Sequence, residues 1–289
     1  MNLNVLTQKP SKPPGSAGRR LPVLVPLSCC CVLALAFAAV FGSWLAPLDL
    51  SQQNLLEAGL PPAGGHLLGT DQFGRDILSR VLVGTRAAME GPLVVALCAT
   101  AVAVTLGLLA GFKGGWTDAV IMRVMDMLFA IPGLLVVTVV VGLFGGGYWL
   151  AVIMLVVLTA PGGTRVIRSS VLAQRNLPYI EAARTLGVPT RKLMFIHILP
   201  NILPNVVAAA LLDFVGGLIS LSSLSFLGLG SPPGASDWGR MLAENRGLLG
   251  QNPWAAIAPA LLLIVAAFSV TVLGDWAYAR LEEGRNVRD

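Results

Sequence analysis

Charged residues are scarce in this chain of 289 residues, of which only 12% are Asp, Glu, Lys or Arg. Soluble globular domains carry about 25% charged residues, so the low content argues against that class. The mean hydropathy is +0.76, and 55% of the residues are hydrophobic. The net charge of +5 comes without a patch that interleaves aromatic and basic side chains, so we expect no nucleic-acid binding. The composition indicates an integral membrane protein.

Residues that carry catalytic or metal chemistry are also few. The two histidines, His66 and His197, lie far apart in sequence, and the chain has no His-Glu-x-x-His motif. None of the lysines follows a glycine, so the Gly-Lys-Ser/Thr phosphate loop is absent. The cysteines at 29–31 and Cys98 have neither zinc-site nor disulfide spacing, and we expect buried, inert thiols. We therefore expect no catalytic residue, no metal site and no cofactor bound by this chain.

Long apolar runs dominate the rest of the chain. A helix of about 20 apolar residues crosses the roughly 30 Å of membrane hydrocarbon. The runs predict an all-α integral membrane protein with six transmembrane helices, near residues 22–46, 91–112, 124–144, 148–164, 203–229 and 255–278. Residues 1–21 are polar, basic and rich in Pro and Gly, which is typical of a disordered tail. A cleaved signal peptide ending near Ala34-Leu35-Ala36 is the alternative, but the preceding tail and the apolar run are both long for one.

The arginines and lysines indicate the orientation. They concentrate in residues 165–200 and at the C-terminal end, whereas residues 47–90 and 228–254 are neutral or acidic. Because basic loops stay on the cytoplasmic side, we expect both termini in the cytoplasm of a cell-membrane protein. The predicted organisation is a tail (1–21), a first transmembrane helix with an outer amphipathic segment (22–90), a core (91–280) with a cytoplasmic loop at about 165–200, and a second tail (281–289).

The outer segment combines a turn with an amphipathic helix. Gly69 and Gly74 bound the predicted turn, and Asp71 is placed to cap it. From Arg75 onward, apolar residues recur at helical spacing while charged residues occupy the other faces. Local salt bridges that stabilise the helix explain these charges better than direct contact with a solute.

The longest polar interruption of the second half predicts a helix, a tight turn and a second helix. Pro178 suits a first helical turn, and Glu181 complements the helix dipole there. Gly187 can take the left-handed conformation that ends a helix. A second helix is predicted to begin at Pro189-Thr190 and to run as far as Pro200.

Two further features are candidate functional positions. The outer loop that contains Pro232, Pro233 and Trp238 is rigid, and we expect it to gate a pathway or to contact an external protein, with Trp238 at the membrane interface. Asp213 lies deep in an apolar run, where an acidic residue is a functional candidate by default. Pathway lining and a structural hydrogen-bonded role both remain open for Asp213.

Glu181-Ala182-Ala183, then Gly187, then Leu199-Pro200 twelve residues after that glycine resemble the "EAA" loop of ABC importer permeases. His197 replaces the usual aliphatic residue, as is common in the peptide-type branch. The segments around 66–80 and 226–241 resemble the second ("C") permease subunit of dipeptide, oligopeptide and nickel importers. Leu273-Gly274-Asp275 also matches, whereas the tail after it departs from the family pattern.

The resemblance implies the type I importer architecture and a permease subunit without catalytic activity. Its implied partners are a homologous permease, two ATPases that bind ATP and Mg, an external binding protein and the lipid membrane. The expected ATPase-coupling residues are Glu181, Ala182, Ala183, Leu186, Gly187, Leu199 and Pro200. Peptides are the expected solute, with nickel, glutathione or a related solute as the alternative. A secondary transporter is a different class, in which the EAA loop would have no role.

Overall fold

The computed structural model describes residues 23–48, 53–63, 65–145 and 147–286, with side chains as far as residue 283. The expected N-terminal tail, residues 1–21, lies outside this part of the chain. Throughout the described ranges the fold is helical, and the β structure found there consists of the isolated bridges Ala63–His66 and Thr70–Asp76. The predicted all-α class is confirmed.

Each predicted apolar run is helical, but α2, α5 and α7 extend well beyond their runs. They are α1 (Leu24–Leu45), α2 (Ile77–Lys113), α3 (Gly115–Phe129), α4 (Gly133–Phe144), α5 (Tyr148–Gln174), α6 (Pro178–Thr185), α7 (Thr190–Phe226), α8 (Trp238–Asn245) and α9 (Trp254–Asn286). Short 3₁₀ turns occupy Leu55–Glu57 and Arg246–Leu248. The predicted outer amphipathic segment and the second span form one helix, α2, whose 37 residues reach about 55 Å. Residues 281–286, expected to belong to the tail, continue α9.

The third apolar run is broken. Instead of one straight helix over 124–144, α3 and α4 meet at an angle of 72°. Pro132 is the local cause, because a proline disfavours helical backbone at the residue before it, here Ile131. In the described ranges five helices are long and apolar enough to cross a membrane, and the bent pair α3–α4 makes a sixth if it crosses once.

Helix α2 lies at the centre of the bundle and packs against α1, α5 and α7. Gly107 and Gly111 provide the close approach to α5, because a Cβ on either would come within 2.8 Å of the Ile167 or Val171 side chain. Gly217 of α7 likewise faces the backbone of α2. The absence of a side chain at these three glycines therefore lets the helices approach closely.

The α7 helix differs from the prediction at its beginning. It starts at Thr190 as expected, but it passes through Pro200 and continues to Phe226. Residues Leu193–Ile198 form a wide π-helical turn directly before that proline. Such a turn alters the regular hydrogen-bond ladder, and the Asn201 side chain donates to the His197 carbonyl at 2.8 Å. The helix therefore accommodates a proline that was expected to end it.

The cysteines also differ from the expectation. Cys29, Cys30 and Cys98 are exposed on the surfaces of α1 and α2, and Cys31 is half-buried. The prediction that these thiols are buried inside the protein is wrong. Apolar sequence context does not distinguish the protein interior from a helix surface that faces lipid.

Candidate functional site

A short capped helix, α6, forms the first candidate site. Pro178 occupies its first turn, where a missing N–H costs nothing, and Glu181 follows in the same turn. At the other end Gly187 has a φ of 77°. Its N–H donates to the Arg184 carbonyl at 3.0 Å, and the Val188 N–H donates to the Ala183 carbonyl at 3.1 Å. This is the Schellman arrangement, and it confirms that Gly187 ends the helix in the left-handed conformation.

The two faces of α6 have different environments. Ile180 is fully buried and Ala183 is nearly so, and Ile180 packs with apolar residues of α2, α5 and α7. Glu181 and Ala182 are exposed, and Leu186 is 83% exposed. The helix is therefore fastened to the bundle by one side and presents a small, partly apolar surface on the other. Of the expected coupling alanines, only Ala182 belongs to the presented surface.

Leu199 and Pro200 lie close to this helix in the fold but do not share its exposed surface. Leu199 is half-buried against the same apolar cluster as Ile180, and Pro200 is exposed on the first turns of α7. The phenol of Tyr179 accepts from Asn201 Nδ2 at 2.9 Å and donates to Gln174 Oε1 at 2.9 Å. Sequence reasoning missed this bridge between α5, α6 and α7, because its members are spread over 28 residues with no motif.

Arginines of α5 hold the neighbouring α3. Arg168 donates through Nε and Nη2 to the two carboxylate oxygens of Asp118, both at 2.5 Å. Arg165 Nη2 lies 2.8 Å from Asp126 Oδ1. The sequence indicated only that these arginines mark one side of the membrane, whereas the structure shows that both bind α3, the first helix of the bent pair.

The second candidate site is at the opposite end of the bundle, which we call the loop end (residues 53–76 and 227–253). Its exposed feature is a turn at residues 232–235. The Ala235 N–H donates to the Pro232 carbonyl at 3.2 Å, and Gly234 has a φ of 82°. Proline at the second position and glycine at the third match a type II turn. Pro232 and Pro233 are both exposed, as a contact with an external protein requires.

Trp238 has a different position from the one expected. Its side chain is fully buried, and its Nε1–H donates to the Val81 carbonyl at 3.0 Å. It packs with Ile77, Val81 and Met241 in an apolar cluster that joins α2 and α8. The expectation that Trp238 anchors at the membrane interface is therefore wrong, because in this conformation it reaches neither headgroups nor an external protein.

Four charged residues whose side chains are almost fully covered lie beneath the turn, and we call them the ionic cluster (Asp71, Arg75, Arg80 and Glu244). Their side chains are 0%, 4%, 1% and 7% exposed. Asp71 Oδ2 lies 2.8 Å from Arg75 Nε and 2.5 Å from Arg80 Nη1. Glu244 Oε2 lies 3.1 Å from an Nη2 of each arginine. The predicted salt bridges are present, but they also include Glu244, which lies far along the chain from the predicted helix at Arg75.

Asp71 also caps its own turn, as predicted. Its Oδ1 accepts from the Phe73 N–H at 2.8 Å and from the Arg75 N–H at 3.0 Å. The next helix, α2, is capped by Asp76, which accepts from the Ser79 N–H at 2.8 Å. His66 Nδ1 lies 3.0 Å from the other Asp76 oxygen. These local contacts fix the segment that carries the ionic cluster.

Asp213 lies midway along α7 and points toward α5. Its Oδ2 atom is buried and has no hydrogen-bond partner within the described residues. A Cβ built on Gly163 of α5 would lie 3.9 Å from that oxygen. Neither of the two roles left open for Asp213 is decided by this geometry. Among the described residues no group of three or more His, Cys, Asp and Glu side chains could hold a metal ion.

Comparison with known proteins identifies the family. A family profile described as "Binding-protein-dependent transport system inner membrane component" matches residues 103–285. The chain belongs to this family. The match covers the capped helix α6, both helices that flank it, and the turn at 232–235. The permease resemblance carried by the EAA-like motif is thereby confirmed.

Relatives of this permease match over most of the chain. It is 37% identical over 247 residues to a glutathione transport system permease protein of Pectobacterium atrosepticum, covering 84% of this chain and 81% of the relative. It is 33% identical over 250 residues to a dipeptide transport system permease protein of Haemophilus influenzae, covering 84% of this chain and 85% of the relative. A di/tripeptide permease protein of Pseudomonas aeruginosa is 34% identical over 250 residues, with 84% and 82% covered.

A solved structure shares the fold. The methionine ABC transporter MetNI in an inward-facing conformation contains a chain that superposes on this permease with a TM-score of 0.56. The match covers 70% of this chain and 96% of the other. Because the sequence identity is only 18%, the likeness establishes the fold alone. The predicted ABC importer permease architecture is confirmed, and the permease is a multi-pass membrane protein.

The surroundings of two acidic residues at the loop end of the permease, Glu244 and Asp237, shift their pKa values in opposite directions. Burial disfavours the charged form of Glu244, but the Gly234 amide together with Arg80 and Arg240 keeps the pKa of Glu244 below its ordinary value. Burial raises the pKa of the Asp237 carboxyl, which caps α8 by accepting from the Arg240 N–H at 2.9 Å. Glu244 is therefore an anion at neutral pH and a fixed partner for the arginines beneath the turn.

Proposed function

We propose that this chain is one of two permease subunits of an ATP-driven importer for peptides. It pairs with a homologous permease, two cytoplasmic ATPases that bind ATP and Mg, and an external solute-binding protein. The chain performs no chemistry itself. Transport proceeds by alternating access, in which closure of the ATPases favours one membrane conformation through differential contacts. The described residues that support this proposal lie at opposite ends of the bundle.

The observation that carries the proposal is the exposed side of α6. A short helix that is fastened by Ile180 and Ala183 and leaves Leu186 83% exposed is suited to a groove on another protein. Glu181, Ala182, Leu186 and Gly187 form the proposed contact surface for the ATPase. Ala183 and Leu199 hold the helix against the bundle, and Pro200 shapes the beginning of α7. Since α6 is joined directly to α5 and α7, its displacement would move two long helices.

The proposed orientation places α6 in the cytoplasm and the loop end outside, with both termini inside. The charge asymmetry along the sequence supports this orientation. Residues 1–21, the coupling loop at about 165–200 and residues 281–289, which include the end of α9, are cytoplasmic in the same assignment. Pro232 and Pro233 are then exposed on the outer side, where a binding protein delivers solute. Trp238 supports that turn from below, and Asp213 is a proposed polar group of the pathway.

Peptides are the favoured solute because two of the relatives above are named for dipeptide or di/tripeptide transport. Glutathione is a second candidate with an observation of its own, the relative at 37% identity that is named for glutathione transport. Glutathione is itself a tripeptide, so one binding protein of moderate selectivity could deliver either solute. Nickel is the remaining alternative within the resemblance.

The test is uptake by the complete transporter in proteoliposomes. The complex would be assembled from this chain together with a second permease, the ATPases and a solute-binding protein from the same organism. Uptake of a radiolabelled dipeptide, of glutathione and of nickel would be measured with ATP inside the vesicles. We expect ATP-dependent dipeptide uptake that unlabelled dipeptide suppresses. Uptake that persists without ATP and follows an ion gradient would instead indicate a secondary transporter.

A further inference from the structure

We propose that the ionic cluster of Asp71, Arg75, Arg80 and Glu244 is the positioning element that fixes the exposed Pro232–Pro233 turn as the docking point for the external binding protein. The inference rests on the proposed function, because it assumes that such a protein delivers solute at the loop end. The affinity of the binding protein for the permease then depends on covered charges that do not contact the binding protein themselves.

The cluster grips the backbone of the turn directly. Glu244 Oε1 accepts from the Gly234 N–H at 2.9 Å. Arg75 Nη1 donates to the Gly234 carbonyl at 3.2 Å, and Arg80 Nη2 donates to the Ala235 carbonyl at 2.9 Å. Three backbone groups immediately after the prolines are therefore bonded to buried charged side chains. Hydrogen bonds to charged groups are about twice as strong as neutral ones, so the turn has little freedom to shift.

The cluster is an expensive way to achieve stability alone. Removing a charged side chain from water is costly, and replacing a buried ion pair by well-packed apolar residues is often neutral or even stabilising. What the ionic arrangement adds is a defined geometry, because guanidiniums bond in fixed directions. Arg75 and Arg80 lie 169 and 164 residues from Glu244 in the chain, so the cluster fastens the beginning of α2 to α8.

The surroundings transmit that geometry to the rest of the permease. A Cβ on Gly84 of α2 would lie 3.2 Å from both the Ser236 carbonyl oxygen and Trp238 Cδ1, so the residues directly after the turn lie against α2 without a gap. Asn252 Nδ2 donates to the Leu68 and Thr70 carbonyls at 3.1 and 3.2 Å and so fastens the segment that leads into Asp71. The turn is therefore held near the beginning of α2, the helix that runs through the centre of the bundle, by the ionic cluster and by the residues that follow the turn.

The presented surface fits a folded protein partner. Two adjacent prolines offer apolar rings on a backbone whose φ angles are already fixed, so little conformational entropy is lost on docking. The ionic cluster also fixes the backbone of the turn, so the turn loses little further freedom when the partner binds. Loosening the cluster should then weaken binding of the partner while leaving the transport machinery intact.

The experiment measures ATP hydrolysis by the reconstituted transporter against the concentration of dipeptide-loaded binding protein. Glu244→Gln removes the negative charge but keeps the shape of the side chain. Gly234→Ala changes no charge, but its Cβ would lie 3.2 Å from Arg75 Nη1 at a φ of 82°, so it disturbs the same contact from the turn. The control is Glu90→Gln, which removes the negative charge from an exposed ion pair (Arg86 Nε to Glu90 Oε2, 3.3 Å) on α2, the helix that carries Arg80.

We expect both cluster variants to raise the half-saturating concentration of binding protein about tenfold, which corresponds to about 1.4 kcal/mol. Hydrolysis without binding protein and the rate at saturation should remain as in the wild type, and Glu90→Gln should change nothing. Glu244→Asp, which keeps the charge, should recover part of the affinity. If Glu244→Gln fails to insert, Gly234→Ala decides the outcome alone.

Half-saturation at the wild-type concentration in both cluster variants would overturn the inference while leaving the proposed function intact. A lower rate at saturation with unchanged half-saturation would also overturn it, because that result indicates a general structural role. A wild-type complex that no binding protein stimulates would instead refute the proposed function. The two failures are therefore distinguishable in one experiment.

Discussion

Replacing Gly187 by valine tests whether α6 couples this permease to the proposed ATPases. Gly187 has a φ of 77°, and a Cβ built there meets no atom of the described residues within 4 Å. Within that part of the chain the substitution causes no clash, and its cost is backbone strain. The left-handed conformation costs an L-residue roughly 1–2 kcal/mol, with β-branched valine at the unfavourable end.

That strain acts on the turn and not on the bundle. One to two kcal/mol changes the population of the capped turn by a factor of about 5–30. The exposed valine would also collide with the walls of a groove that accepts glycine. We therefore expect Gly187→Val to lower ATP hydrolysis stimulated by the loaded binding protein at least about tenfold, with the corresponding loss of uptake and a normal amount of protein in the membrane.

Two matched variants separate the causes. Gly145→Val introduces the same strain at the end of α4, where φ is 60° and a Cβ contacts none of the described residues. This variant should retain stimulated hydrolysis. Gly187→Asn tolerates the left-handed conformation but adds a side chain, so it reports collision without strain. Glu181→Ala should cause only a partial loss, because a dipole contribution is about 0.3–1 kcal/mol.

The assay is ATP hydrolysis by the reconstituted complex with and without loaded binding protein. Normal stimulation in Gly187→Val would refute the assignment of α6 as the coupling helix. An equal loss in Gly145→Val would refute it too, because the effect would then follow from strain anywhere in the permease. Either result would remove the main support for the proposed function.

The remaining predictions concern topology and the loop end. In a background without native cysteines, a membrane-impermeant thiol reagent applied outside should label Ala235→Cys and not Thr190→Cys; outside access to position 190 would reverse the orientation. Replacing Pro232-Pro233 by Ser-Ser should lower uptake in an assembled complex, and unchanged uptake would reduce the turn to a structural element. Trp238→Ala should cost about 3–5 kcal/mol of stability, measured as a lower midpoint of thermal unfolding in detergent, since it empties a fully buried site; a wild-type midpoint would contradict the packing. Because folding lowers the pKa of Glu244, its ionised carboxylate stabilises the folded protein above the ordinary value of 4.5, and this stabilisation is lost as the pH falls through the lower folded value. The midpoint of thermal unfolding should therefore decline below about pH 4.5, and it should decline less in Glu244→Gln.

Local features were predictable from the sequence. Hydrophobic runs long enough to span a membrane give spans that agree with α1 and with most of α2, α5 and α9. The ends of α6 were also predictable, since Pro178 and Gly187 act through the backbone of their own turns. Asp71 capped its turn as expected for the same reason, because its partners are two and four residues away.

The tertiary structure decided the features that depend on distant residues. Trp238 suits a membrane interface in any local reading, and it is buried only because Val81 and its neighbours on α2 enclose it. Arg75 and Arg80 were expected to form local pairs, whereas Glu244 completes their site from the other half of the chain. Val81 is far from Trp238 in sequence, and Glu244 is far from Arg75 and Arg80, so no local pattern of charge or hydropathy could predict either contact.

Sequence by itself therefore determined that this is a helical membrane protein of the permease family with a capped helix near Glu181. Only the folded chain decided which side of that helix is free: Ile180 and Ala183 face the bundle, whereas Ala182 and Leu186 do not. The physical reason is that backbone preferences and capping act over a few residues, whereas burial depends on which helices pack together. Glycines such as Gly107 and Gly111 set that packing by allowing α2 and α5 to touch, and their effect appears only when both helices are in place.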